Sequence, residues 1–312
     1  MRISNNIIQI DAYFYDIHVA LYLIKGERVA IIDTGNSDTP QNYIAPAIRQ
    51  HGLNIENINL ILNTHAHWDH TTGNQSIKKA SNANILIHAD DVNIIENHEN
   101  YFQQHLEPGI KTIMGNNQVQ SEKDQFMKMA GPDQIVDQSL NDNDVVYLGD
   151  GCNLRVIHLP GHSYGSVGFY WEKEGILFSG DSLPGLQHND GGIPIIRDLI
   201  AYYKSLERIE SLSLELILQG HDFRGIKLPA STSKRHGEIK EFIRDSKEIT
   251  ERLIEAIDKV APYTYEMPFS ELYNRVIEML PGKMGFKPID QIQIKLFSPM
   301  TIFDRLRQLN FV

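Results

Sequence analysis

Three imidazoles and a carboxylate fall within six residues at His65-Ala66-His67-Trp68-Asp69-His70. With 13 histidines in 312 residues and ordinary aspartate usage, chance places such a pattern somewhere in the chain on the order of one time in a thousand. Neutral imidazole nitrogen and carboxylate oxygen suit Zn²⁺, and also Fe²⁺ or Mn²⁺. Three more residues of the same kinds recur downstream, each beside a glycine: Pro160-Gly161-His162, Gly180-Asp181 and Gly220-His221. Glycine lets the backbone turn sharply and come close to a crowded centre. Taken singly, each histidine reads as a surface or hydrogen-bonded side chain. Taken together they read as ligands.

Such residues need rigid elements to aim them, and the hydrophobic pattern predicts those elements. Ile7–Tyr13, Val19–Ile24 and Val29–Ile32 are β-branched and aromatic runs ending in turn signals, the last at Asp33-Thr34-Gly35. A helix over about residues 39–50 ends near Gly52, and a buried strand, Ile58–Leu62, delivers the chain into the His-rich loop. A short helix at about 75–80 and a strand at Ile85–His88 follow. From about 91 to 144 the periodicity weakens and Met, Gln, Asn and Asp dominate, so this stretch reads as a helix and then a long insertion, the candidate lid. Strands at Leu154–His158, Ser166–Trp171 and Gly175–Phe178, a helix at about 198–212 and a strand at Leu214–Leu218 lead to His162, Asp181 and His221. Nearly every candidate ligand thus lies just past a strand end, where rigid scaffolds gather functional groups. Beyond about Pro229 the pattern turns helical, with Ile239, Phe242, Ile249, Leu253, Ile254 and Ile257 at helical spacing.

Together, the His65–His70 motif, the later His162, Asp181 and His221, and the Asp33 turn resemble the metallo-β-lactamase superfamily, in its glyoxalase II-like and lactonase-like branch. The resemblance covers roughly residues 1–225. It implies an α+β fold, an αββα sandwich of two β-sheets face to face with helices outside, and a C-terminal helical appendage. The expected division is a catalytic domain over 1–228, interrupted by the 91–144 insertion, and a helical region over 229–312 capping the active site. Two divalent ions are implied, zinc first, with iron or manganese as alternatives. Carried over by position, His65, His67 and His162 hold one ion, Asp69, His70 and His221 the other, and Asp181 bridges both, with Asp33 orienting the ligand loop. Two such ions acidify a bridging water into a hydroxide nucleophile and polarise the scissile group. Asp69 and Asp181 are the implied catalytic carboxylates, Asp69 passing a proton as the intermediate collapses. His188, in the loop after Asp181, is assigned a substrate contact. His98 and His105 read as a packed or solvated helix face.

Composition narrows the substrate. Twenty-nine Lys and Arg against 40 Asp and Glu give a formal charge of -11, which disfavours nucleic acid. The single cysteine, Cys152, requires no oxidising compartment. No signal-peptide pattern and no apolar run of membrane-spanning length stand out, so the expectation is a cytoplasmic protein with a small-molecule substrate, no membrane, and a homodimer as an open alternative. Lactonases of the superfamily carry a tyrosine shortly after the bridging Asp, whereas this chain reads Asp181-Ser182-Leu183-Pro184-Gly185. The helical tail and the Gly161-His162-Ser163-Tyr164-Gly165-Ser166 turn are similar to thioesterase-like members. The leading expectation is therefore cleavage of a small ester-type substrate, a thioester first. Lactonase, phosphodiesterase or nuclease, and mononuclear-iron persulfide oxygenase stand as alternatives.

Overall fold

The computed structural model describes residues 2–14, 17–149, 151–186, 192–291 and 297–312. The first half of the chain builds one sheet, in the order β1 (Ile7–Phe14), β2 (Ile17–Ile24), β3 (Val29–Ile32), β4 (Ile58–Leu62), β5 (Asn84–His88) and β6 (Gln138–Leu140). β1, β2 and β3 pair antiparallel, and β3 to β6 run parallel. Helices α1 (Ala45–Arg49), α2 (Trp68–Thr71), α3 (Asn74–Ser81), α4 (Ala89–Glu96), α5 (His98–Tyr101), α6 (Glu107–Ile113) and α7 (Val119–Ala130) belong to the same half. The second sheet runs β12 (Ser231–Arg235), β11 (Leu216–Phe223), β10 (Ile176–Gly180), β9 (Val167–Trp171), β8 (Asn153–His158) and β7 (Val145–Tyr147). α8 (Leu199–Glu210), α9 (Gly237–Val260), α10 (Phe269–Met279) and α11 (Phe297–Gln308) complete the fold.

Strand periodicity of two divides each apolar strand between two cores. In β2, Tyr22 and Ile24 point between the sheets, where Leu62, Phe169, Phe178 and Leu218 meet them, while Leu21 and Leu23 point outward to Ile48 and Ile77 of the helices. On the far side, Leu177 and Ile217 bury against Tyr202, Leu206, Phe242 and Leu253. Strands covered on both faces must be apolar throughout, which is why β2, β4 and β10 read as continuous hydrophobic runs. Each such large side chain contributes roughly 1.5–3 kcal/mol by leaving water. The result is the αββα sandwich with a helical C-terminal appendage.

Three local departures from the sequence reading have physical causes. The stretch from 91 to 144 is built of helices and one short strand rather than a long irregular loop. Its polar surface obscures a sparse set of buried anchors, Ile95, Phe102, Leu106 and Ile110 among them. The first element past Pro229 is a strand, β12. Its Ser-Thr-Ser-Lys-Arg sequence has no apolar alternation, yet Thr232 and Lys234 are buried, and the Lys234 ammonium donates to the carbonyls of Phe223 and Ser231. Finally, part of the His-rich loop is itself the short helix α2.

Candidate metal centre

The centre lies at one end of the sandwich, where the ligand-bearing segments leave the strands. β4 releases the chain through Thr64, whose amide and hydroxyl both donate to Asp33 at 2.8 Å. Asp33 stands just past β3 with φ at 58°, a conformation that aspartate tolerates better than most residues. His65 and His67 follow Thr64, and α2 then carries Asp69 and His70 inward. His162 leaves β8, Asp181 leaves β10, and His221 sits inside β11 where its pairing with β12 shifts register. A Cβ on Gly220 would stand 2.4 Å from Asp181 Oδ1 and 2.8 Å from His70 Cε1, so only glycine leaves room for these side chains beside His221.

The seven side chains converge as two triads sharing a carboxylate. His65 Nε2 and His162 Nε2 lie 3.0 and 2.9 Å from His67 Nδ1. His70 Nε2 and His221 Nε2 are 3.2 Å apart, with Asp69 Oδ2 3.9 and 3.3 Å from them. Asp181 Oδ2 faces both groups, 3.6 Å from His162 Nε2, 3.6 Å from His70 Nε2 and 3.3 Å from His221 Nε2. Around a tetrahedral zinc with bonds near 2.0–2.1 Å, donor atoms sit about 3.3 Å apart, so the spacing fits such an ion.

Outward hydrogen bonds set the tautomers. His162 Nδ1 donates to the Ile195 carbonyl at 2.7 Å, and His221 Nδ1 to the His18 carbonyl at 2.6 Å. His65 Nδ1 lies 3.1 Å from the Thr64 hydroxyl, which itself donates to Asp33. Asp33 also receives His70 Nδ1 at 2.9 Å. A neutral imidazole so tied has only a lone pair left to point inward. Asp181 Oδ1 is buried with no hydrogen-bond partner among the described residues. Converging lone pairs and an unpartnered carboxylate oxygen are what a cation satisfies, and the donor set fits one.

Electrostatics separate the two triads. Burial, reinforced by neighbouring imidazoles, drives His65 well below the ordinary histidine range, and it pushes His67 down to about 3 and His162 downward. Burial also opposes charge on His70 and His221, but nearby carboxylates outweigh it, lifting His70 well above its usual value and His221 to about 10. Burial likewise disfavours the carboxylates of Asp69 and Asp181, yet His70 and His221 hold both well below the usual range. Burial thus favours neutral nitrogens in the first triad, whereas the neighbouring carboxylates favour the charged form at His70 and His221. Divalent ions would displace those protons.

Above the centre opens a cleft onto which His67, Asp69, His162, Asp181 and His221 face. Its walls come from elsewhere: Ile94, Tyr101, Leu106, Phe126 and Ala130 from the 91–144 stretch, and Met300 from α11. Trp68 lines the cleft and packs edge-on against Phe14. His98 is buried among the wall residues, whereas His105 stacks on Tyr101. Arg197 also reaches the cleft. It is buried, lies 2.9 Å from Asp304 of α11, and donates to the His105 carbonyl. Sequence reasoning missed Arg197, Tyr101, Phe126 and Met300, since nothing in their local pattern sets them apart from core residues. His188 lies outside the described residues.

The family model described as the metallo-beta-lactamase superfamily matches residues 15–221, more than half of the chain. A "probable metallo-hydrolase" of Methanocaldococcus jannaschii is 25% identical over 232 residues, covering 73% of this chain and 98% of that protein. An atrochrysone carboxyl ACP thioesterase of Emericella nidulans is 27% identical over 161 residues, covering 51% of this chain and 49% of that protein, so the chain spans about half the length of this relative. In fold, the structure matches a metallo-beta-lactamase family protein of Thermus thermophilus with a TM-score of 0.71 at 18% identity, over 99% of this chain and 95% of that one. Among the described residues no helix is long and apolar enough to cross a membrane. With the sandwich, the two triads at its end and the family model agreeing, the chain belongs to the metallo-β-lactamase superfamily of metal-dependent hydrolases.

Proposed function

We propose that the protein hydrolyses a small ester-type substrate, a thioester first, at a two-metal centre. His65, His67 and His162 would hold one divalent ion, Asp69, His70 and His221 the other, and Asp181 both. Two such ions, when bound, supply an acidified water and an electrophile for the scissile carbonyl. The chain's own residues do the rest. The cleft walls exclude water and hold the acyl group, the outward hydrogen bonds keep the inward nitrogens aimed, and Asp69 Oδ2, at the cleft, can take a proton and return it to the leaving thiolate.

One observation carries the choice of substrate: the cleft wall is apolar, made of Ile94, Leu106, Phe126, Ala130 and Met300 around a polar floor. Such a wall suits an acyl chain. A nuclease needs a cationic groove, and among the described residues lining this cleft the Lys or Arg cation is Arg197, which is paired with Asp304. The thioesterase name of one relative points the same way.

The test is metal content per chain together with turnover of thioester, lactone and phosphodiester substrates before and after chelation. Two divalent ions and metal-dependent thioester cleavage are expected. Cleavage of lactones alone would move the assignment to a lactonase, and one iron with no hydrolysis would move it to an iron oxygenase.

A further inference from the structure

The turn Gly161-His162-Ser163-Tyr164-Gly165-Ser166 contains one ligand candidate, His162, and five other residues. Two of the five contact Asp91 directly, and Ser166 does so through Ser163. The Asp91 side chain is fully buried, in the first turn of α4 just past β5. Its Oδ2 accepts from the Ala66 amide and from the Ser163 hydroxyl, both at 2.9 Å, and its Oδ1 accepts from the Gly165 amide at 2.7 Å. Ser166 Oγ accepts the Ser163 amide at 3.0 Å and lies 2.8 Å from Ser163 Oγ, which fixes the rotamer that faces Asp91. A Cβ on Gly165 would stand 2.6 Å from Asp91 Cγ, so this close approach requires glycine.

Ala66 lies between His65 and His67, and Ser163 follows His162. One buried carboxylate therefore joins the two loops that deliver all three nitrogens of the first triad. The second triad is fastened differently, by Asp33 on His70 and the His18 carbonyl on His221. We infer that Asp91 is a positioning residue for the first metal site: it sets the distance between the His65–His67 loop and the His162 turn, and so the affinity of that site and not of the other. The inference rests on the two-metal reading above. Burial pushes the Asp91 carboxyl up to about 6, against its hydrogen bonds, so at pH 7.5 it is ionised and can accept all three.

Asparagine at 91 keeps the shape but offers one acceptor oxygen. Its amide nitrogen would meet an N–H or O–H donor, leaving at least one buried donor unsatisfied. The experiment is zinc titration at pH 7.5 against a competing chromophoric chelator, on the full chain, for wild type, Asp91→Asn, His67→Ala and the His67→Ala/Asp91→Asn pair. Wild type should bind two zinc ions. Asp91→Asn should weaken one of the two sites by about 10- to 100-fold, the range that outer hydrogen-bond partners of metal ligands command, and leave the other unchanged. In the His67→Ala background, where the first site is already broken, Asp91→Asn should leave the remaining affinity unchanged. Equal weakening of both sites, no weakening of either, or further loss in the His67→Ala background overturns the inference while the two-metal reading stands. A wild type that binds no zinc, iron or manganese overturns the reading itself. Should Asp91→Asn fail to fold, Ser163→Ala removes one of the three hydrogen bonds and should weaken the same site several-fold; unchanged affinity there overturns the inference equally.

Discussion

Removing Asp304 should unfold the protein far more readily than removing Asp304 and Arg197 together. The pair is buried, with relative exposures of 5% and 6%, and its atoms stand 2.9 Å apart, linking α11 to the segment that follows Asp181. Asp304→Ala leaves a buried guanidinium whose described partners, the His105 carbonyl and the Tyr164 hydroxyl, carry no full charge to balance it, and guanidinium does not shed its proton. Breaking a buried pair in this way costs about 3–5 kcal/mol, whereas replacing both partners by apolar groups of similar size is close to neutral. A chain of this length unfolds with an entropy of roughly 0.65 kcal/mol/K, so each kcal/mol moves Tm by about 1.5 °C. Asp304→Ala should therefore lower Tm by about 5–8 °C, and Arg197→Met/Asp304→Leu should lie within about 2 °C of wild type. Arg197→Met alone should be milder at pH 5 than at pH 8. Burial already pushes the Asp304 carboxyl up to about 6, so without its partner it can take a proton at pH 5 and become neutral. Thermal denaturation followed by circular dichroism at the two pH values reads all three variants. A loss under about 2 °C for Asp304→Ala, or a double variant worse than that single one, would refute the reasoning.

Asp181→Asn should keep the fold but lose metal and activity, because Asp181 Oδ2 faces both triads; elemental analysis should read fewer than two ions per chain and kcat/KM should fall at least about 100-fold. Phe126→Trp narrows the cleft wall, so long-chain acyl thioesters should lose more kcat/KM than acetyl thioesters, and equal losses would show that the acyl chain lies elsewhere. Lys234 gives a pH signature. Burial pushes its ammonium down to about 8 from 10.5, so between these values the unfolded chain binds more protons, and stability should rise with pH over that window by up to about 3 kcal/mol. Urea titrations at pH 7.5 and pH 10 should register that rise in wild type and lose it in Lys234→Met.

The residues that converge at the candidate metal centre were legible in the sequence because metal chemistry restricts residue type and the strand-end positions restrict spacing. Few other tasks would place His65, His67, Asp69 and His70 together. The central strands were legible because burial on both faces demands continuous apolar runs. What builds the cleft was not. Phe126 and Met300 have the composition of any core residue, and only the folded chain places them over the metal floor. Asp91 sits in an Ala-Asp-Asp helix start, where an acidic residue is expected for its interaction with the helix dipole, so its sequence context hides the hydrogen bonds it makes to the ligand loops. β12 stayed hidden because its buried Lys234 depends on carbonyl partners that a linear pattern does not reveal.

Floor and walls of the cleft have different origins along the chain. The floor comes from loops at the ends of sandwich strands, fixed by hydrogen bonds that tolerate little change, whereas the walls come from the 91–144 helices and from α11. Selection can thus act on them separately: a lineage could exchange, lengthen or trim the wall helices and acquire a new substrate while inheriting its bond-breaking machinery untouched. Diversity of substrate across such a family then needs no reinvention of chemistry, only repeated rebuilding of the enclosure around an unaltered hearth.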